Sequence, residues 1–84
     1  MMTYKIKISN IDEARQLVKI TEKMNGDVDL SYGSYIVDAK SIIGVISLAG
    51  GHELQLCIHG RLTPEVEMKL NKFGRTEALP AAMI

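Results

Sequence analysis

Hydrophobic and polar residues alternate in four places along this chain, and three stretches between them repeat at helical spacing. Tyr4, Ile6 and Ile8 alternate with Lys5 and Lys7, the period of a strand with one apolar and one basic face. Ser9 and Asn10 stop the alternation. Asn10 and Glu13 stand in N-cap and N3 relation, a capping box with asparagine in the place of serine. The helix that follows is predicted to run to about Met24. Ile11, Ala14, Leu17, Val18, Thr21 and Met24 form its inward stripe, and Asn25-Gly26 supplies its stop. Val28, Leu30 and Tyr32 then alternate with Asp29 and Ser31. Gly33-Ser34 between two tyrosines suits a type II′ hairpin, because glycine accepts the positive φ of the first central position. Tyr35, Ile36 and Val37 form the return strand.

Ser41, a good N-cap, opens the apolar run IIGVISL. Ile42, Ile43, Val45, Ile46 and Leu48 point all round a two-turn helix, and one sheet can bury only one side of it. The rest is expected to form an exposed apolar patch, which usually marks a partner surface. Ala49-Gly50-Gly51 ends this helix. Leu54, Leu56 and Ile58 alternate with Glu53, Gln55, Cys57 and His59 in a fourth strand, closed by Gly60. Thr63 caps a third helix with Pro64 at its first position and Glu65 and Glu67 on the positive end of its dipole. Val66, Leu70 and Phe73 are its apolar stripe, and Gly74 its stop. The order is βαββαβα. Four strands with one apolar face each and three amphipathic helices imply an α+β fold: an antiparallel sheet with the helices on one side. Lys5, Lys7, Asp29, Ser31, Gln55, Cys57 and His59 are then expected on the bare side. Residues 75–84 read as a tail, apolar enough to dock but broken by Pro80.

Composition narrows the function classes. The chain has 84 residues, enough for one domain that buries about 60% of its unfolded surface. Ten basic and ten acidic residues cancel, with no long run of either sign, which argues against nucleic acid or an anionic membrane as the main partner. No apolar run approaches membrane-spanning length, and the first ten residues alternate rather than form a leader. The single cysteine permits no internal disulfide and fits a reducing cytoplasm. No metal-ligand spacing, nucleophile–base pair, acid pair or phosphate loop is present, so neither a cofactor nor an enzyme is expected.

The stretch DVDLSYGSYIVDAKSIIGVISL resembles the central segment of HPr, the histidine-containing phosphocarrier protein of the bacterial sugar phosphotransferase system. KSIIGV around Ser41 is its most specific part. Element order and length also match, so the resemblance covers about residues 3–73. It implies the HPr-like open-faced β-sandwich, a domain over residues 1–74 with a tail at 75–84. In that family a histidine in a His-Ala-Arg-Pro motif opens the first helix and carries phosphate. Helix amides and the arginine hold the phosphoryl oxygens. Counting back from KSIIGV places Asn10 at the histidine position, Asp12 at the arginine and Glu13 at the proline, after a loop a few residues shorter than the family's. The resemblance is therefore to a paralogue without the phospho-histidine, like catabolite-repression HPr. His52 and His59 are expected to be solvated surface histidines.

The family's second site is the serine of KSI, phosphorylated in many Gram-positive bacteria by an ATP-dependent kinase to regulate carbon catabolite genes through a transcription factor. Ser41 matches it. Two readings stand side by side for Ser41: a helix cap, and a cap that also accepts phosphate. The expected function is a cytoplasmic regulatory protein acting through protein contacts at Ile42, Ile43 and Ile46, with an HPr kinase and a transcriptional regulator as partners. The alternatives are an unphosphorylated interaction or homodimerisation module and, less favoured, an active phosphocarrier.

Overall fold

The computed structural model describes residues 2–73. Strands β1 (Met2–Lys7), β2 (Val28–Tyr32), β3 (Tyr35–Asp38) and β4 (Glu53–Ile58) form one sheet. Helices α1 (Ile11–Thr21), α2 (Ile42–Leu48) and α3 (Pro64–Leu70), with a 3₁₀ turn over Asn71–Phe73, complete the order read from the sequence. The sheet order is β1-β4-β2-β3, antiparallel throughout. The stop at Gly74, the tail at 75–84 and Met1 lie outside the described residues.

Register explains the two faces. Tyr4, Leu56, Leu30 and Val37 lie opposite one another across all four strands, with Ile6 opposite Leu54 and Met2, Ile58 and Val28 in the row beside. These side chains meet Ala14 and Leu17 of α1, Val45 and Leu48 of α2 and Leu70 of α3 in one core. The alternate rows, Lys5–Gln55–Ser31 and Thr3–Cys57–Asp29, have no helix over them. Lys7 faces Glu53 at the end of β1, an opposite-charge cross-strand pair. Since the strand period is two, this register puts every expected core residue of β1 and β4 on one side.

Three details differ from the sequence pattern. First, α1 ends at Thr21, not near Met24. The Thr21 hydroxyl donates to Ala39 O at 2.6 Å, and the Lys40 ammonium donates to Met24 O at 2.8 Å, so tertiary contacts take over one turn early. Met24 is still buried. Second, Ile11, the first residue of α1, is 53% exposed rather than part of the inward stripe. Third, Tyr32 is exposed although its strand neighbours Val28 and Leu30 are buried. It pairs with Tyr35 at the hairpin tip and leaves the core there. Gly33 has φ +60° and Ser34 does not have a positive φ, as the type II′ turn requires.

Tyr4 is fully buried, and its hydroxyl has no hydrogen-bond partner among the described residues. Burial, and secondarily the Glu67 carboxylate, raise its pKa above the ordinary 10.0. The folded state then holds the phenolic proton more tightly than the unfolded chain. Its contribution is complete below pH 10.0 and is lost as pH rises above that value. Tyr4→Phe is expected to leave stability at neutral pH equal or up to ~1 kcal/mol higher, since it removes an unpaired buried hydroxyl. It should also flatten the alkaline loss. Urea unfolding on either side of pH 10.0 checks both; a neutral-pH loss above ~2 kcal/mol would show that the hydroxyl is satisfied in solution.

Candidate functional site

The approach to α2 is pinned at every residue. Lys40 N donates to Asp38 Oδ1 at 2.9 Å and Ser41 N to Asp38 O at 3.1 Å. Ser41 is extended, with φ −102° and ψ 119°, and its Oγ accepts from Gly44 N at 3.3 Å, the expected N-cap geometry. The serine itself is half-buried at the surface. No acidic residue lies in the first turn of α2. Thus the free amides at this end face no carboxylate of their own helix.

The residues expected to form the apolar patch divide into two sets. Val45 and Leu48 enter the core, and Ile42 is partly buried against it. Ile43 is 79% exposed and Ile46 39% exposed. Only two of the three proposed contact residues therefore stand free.

The sequence pattern did not show how this patch continues. Tyr35 and Ile36, each 68% exposed, lie on the edge strand β3. With Tyr32, Val37, Ser47, Leu48 and His52 they line an open, mainly apolar groove of about 420 Å3 beside α2. His52 is not the solvated histidine expected. Its ring lies against Tyr32, with centroids 4.0 Å apart and planes tilted by 36°, and Nε2 is buried without a partner among the described residues. The two tyrosines flanking the turn were visible in the sequence, but the place of β3 at the sheet edge was not.

The start of α1 is built differently. Asn10 Oδ1 accepts from Glu13 N at 2.8 Å, and Glu13 Oε1 accepts from Ser9 N at 2.7 Å. The helix end is closed by its own side chains, and Asp12 and Glu13 put two carboxylates in the first turn. An incoming phosphate would meet negative charge and occupied amides there. His59 follows β4 and is not free: its Nε2 lies 2.9 Å from Asp29 Oδ2, an exposed pair on the bare sheet face. Cys57 is half-buried, with its sulfur 3.8 Å from the Thr3 hydroxyl. Among the described residues, no group of three His, Cys, Asp or Glu side chains is arranged to hold a metal, and no helix is long and apolar enough to cross a membrane.

No family model and no curated protein matches this sequence. Solved structures do. The crystal structure of HPr-C-His from Thermoanaerobacter tengcongensis superposes with a TM-score of 0.69 at 25% identity, covering 86% of this chain and 89% of that one. The phosphocarrier protein HPr from Bacillus anthracis strain Ames superposes with a TM-score of 0.55 at 19% identity, covering 84% and 89%. Both likenesses span nearly the whole described region, and the element order is that of the HPr fold. The four-stranded sheet, its three helices and the serine-capped α2 together make this chain an HPr-like protein.

Proposed function

We propose that this HPr-like protein is regulatory: it works through protein contacts at α2 and the β2–β3 hairpin, and Ser41 is its phosphate acceptor. It carries no phosphocarrier histidine and performs no catalysis of its own. The carrying observation is Ile43 and Ile46 exposed on the helix that Ser41 caps. The contrast between the two helix starts supports it, since α1 opens with Asp12 and Glu13 and α2 with no acid.

Phosphorylation here would transfer the γ-phosphoryl group of ATP to Ser41 Oγ. A new P–O bond forms, and ADP and the hydroxyl proton leave. The phosphate oxygens would replace Oγ as acceptor for Gly44 N, so the helix keeps a cap and gains a negative charge on its positive end. That charge lies beside the isoleucine patch and would change which protein docks there. The partners are an HPr kinase and a transcriptional regulator in the cytoplasm.

A second reading, an unphosphorylated binding or dimerisation module, is favoured by exposed Tyr35 and Ile36 on the edge strand β3. Intact mass after incubation with ATP and an HPr kinase separates the two. One acid-stable phosphate is expected on the natural chain and none on Ser41→Asn, which retains a good cap. Ser41→Ala should also lose phosphorylation, together with about 1 kcal/mol of stability. An unmodified natural chain would favour the second reading. An acid-labile phosphate acquired from phosphoenolpyruvate and Enzyme I would overturn both, by showing a working phosphocarrier.

A further inference from the structure

We propose that the groove between α1 and α3 is a docking site for an acidic, amphipathic segment of a partner protein. Two adjoining cavities, of about 240 Å3 and 320 Å3, make this groove, and they share Ile20 and Lys69. Lys19, Lys23, Arg61, Lys69 and Lys72 line it. That is half of the ten basic residues of a chain whose net charge is zero. Glu13 and Glu65 are the acids on its walls. Both are engaged: Glu13 caps α1, and Glu65 lies 3.3 Å from Lys69. No ion pair joins Lys23 or Arg61 to another described residue. The groove therefore carries a strong positive excess that the neutral chain as a whole conceals.

Its floor is apolar. Ile20, Val66 and Phe73 pack on the core and leave part of their surface in the groove, with Met24 at one end. A charged rim over an apolar floor matches a ligand with carboxylates on one side and apolar side chains on the other. The cations are spread from the last turn of α1 into the loop after it, and from Arg61 past the end of α3, roughly 10–15 Å. They do not converge on one point, as a small phosphate ester would require. A nucleic-acid backbone would use the cations and leave the floor unsatisfied. Since α1 packs against both α2 and α3, the groove lies on the side of α1 away from the α2 patch. This site does not depend on the reading of Ser41, and both surfaces can be occupied together.

Titration of the ¹⁵N-labelled full chain, followed by amide chemical shifts, tests the proposal. The probe is a synthetic helical peptide of roughly 14 residues, about four turns, with glutamates on one face and leucines on the other. Shifts are expected at residues 19–24 and 61–73 and not at 41–48. Exchanging the glutamates for glutamine, or the leucines for serine, should weaken binding ~10-fold or more, as should Lys23→Glu with Lys72→Glu, two exposed sites where the fold is kept. Four outcomes would overturn it: no groove shifts at millimolar peptide, unchanged affinity in the charge-reversed variant, displacement of the peptide by a single-stranded oligonucleotide, or the same shifts on concentrating the protein alone, which would make a second copy the occupant.

Discussion

Gly60→Ala is expected to destabilise this protein by about 3–4 kcal/mol, the largest effect of any glycine-to-alanine exchange among the described residues. A Cβ at Gly60 would lie inside the contact shell of the Asn25 carbonyl oxygen, 3.0 Å from its carbon and 3.4 Å from Gly26 Cα. The obstacle is main chain, so no side chain can swing aside. Gly26 is itself held at φ +87°, and a Cβ there would come 3.0 Å from Gly60 Cα. Two loops, α1–β2 and β4–α3, therefore cross glycine on glycine. Separating them would strain the His59 N to Asp27 O bond of 3.0 Å and the Val28–Ile58 pairing next to it. For a domain of this size, whose whole stability is about 4–12 kcal/mol, the loss should lower the thermal midpoint by roughly 15–25 °C. Gly33→Ala is the control. Gly33 has φ +60° but nothing within 4 Å of a Cβ, so only left-handed strain of about 1 kcal/mol applies. Equal losses at the two positions would mean that the loop crossing yields easily and that backbone conformation alone sets the cost.

That crossing also shows where the sequence stopped being informative. Gly26 and Gly60 each read as a local stop, one for a helix and one for a strand. The reason both must be glycine is a contact between residues 34 positions apart, which no local period encodes. The same division holds elsewhere. β1, β2, β4, α1 and α3 were legible because each has one face of alternating or helically spaced apolar residues, β3 was legible from the turn before it, and each helix was marked by a cap at its start. Asn10, Ser41 and Thr63 all accept from the amide three residues on. The end of α1 was not legible, since Thr21 is a competent helix residue diverted by Ala39 O. Nor was the fate of Tyr32, which continues its strand's apolar period but is left exposed at the hairpin tip.

At the site, local chemistry was legible and neighbourhood was not. The cap at Ser41, its free amides and the mismatch between an apolar helix and a one-sided sheet all follow from eight consecutive residues, 41–48. That β3 is an edge strand, which leaves Tyr35 and Ile36 uncovered beside α2, follows only from the order β1-β4-β2-β3. His52 was unreadable for the same reason: Tyr32, its stacking partner, is twenty residues earlier in the chain. The basic groove was hidden differently. Its five cations come from two helices, a 3₁₀ turn and two loops, each ordinary by itself, and the acids on its walls are only Glu13 and Glu65.

Replacing Ile43 and Ile46 together by glutamine should reduce phosphorylation of Ser41 by HPr kinase about 100-fold at limiting protein, while stability changes by less than ~1 kcal/mol. The two effects separate because Ile43 is largely in solvent and Ile46 partly so, whereas Val45 and Leu48 hold α2 to the core. Glutamine is chosen on two grounds. It forms helix at least as well as isoleucine, and it adds no charge near Ser41 that could itself disturb phosphate transfer. An exposed isoleucine desolvated at the centre of an interface costs about 1–2 kcal/mol when lost, so two such contacts multiply to roughly the factor stated. Ile11→Gln, at the start of α1, removes another exposed isoleucine from outside α2 and should leave the rate within about threefold. Initial rates by intact mass, with urea unfolding of the same samples, read both quantities. A full rate in the α2 variant with a loss in Ile11→Gln would move the contact surface to α1. A full rate in both would leave the isoleucines without a part in kinase docking, and the edge strand β3 would then be the stronger claimant for a partner.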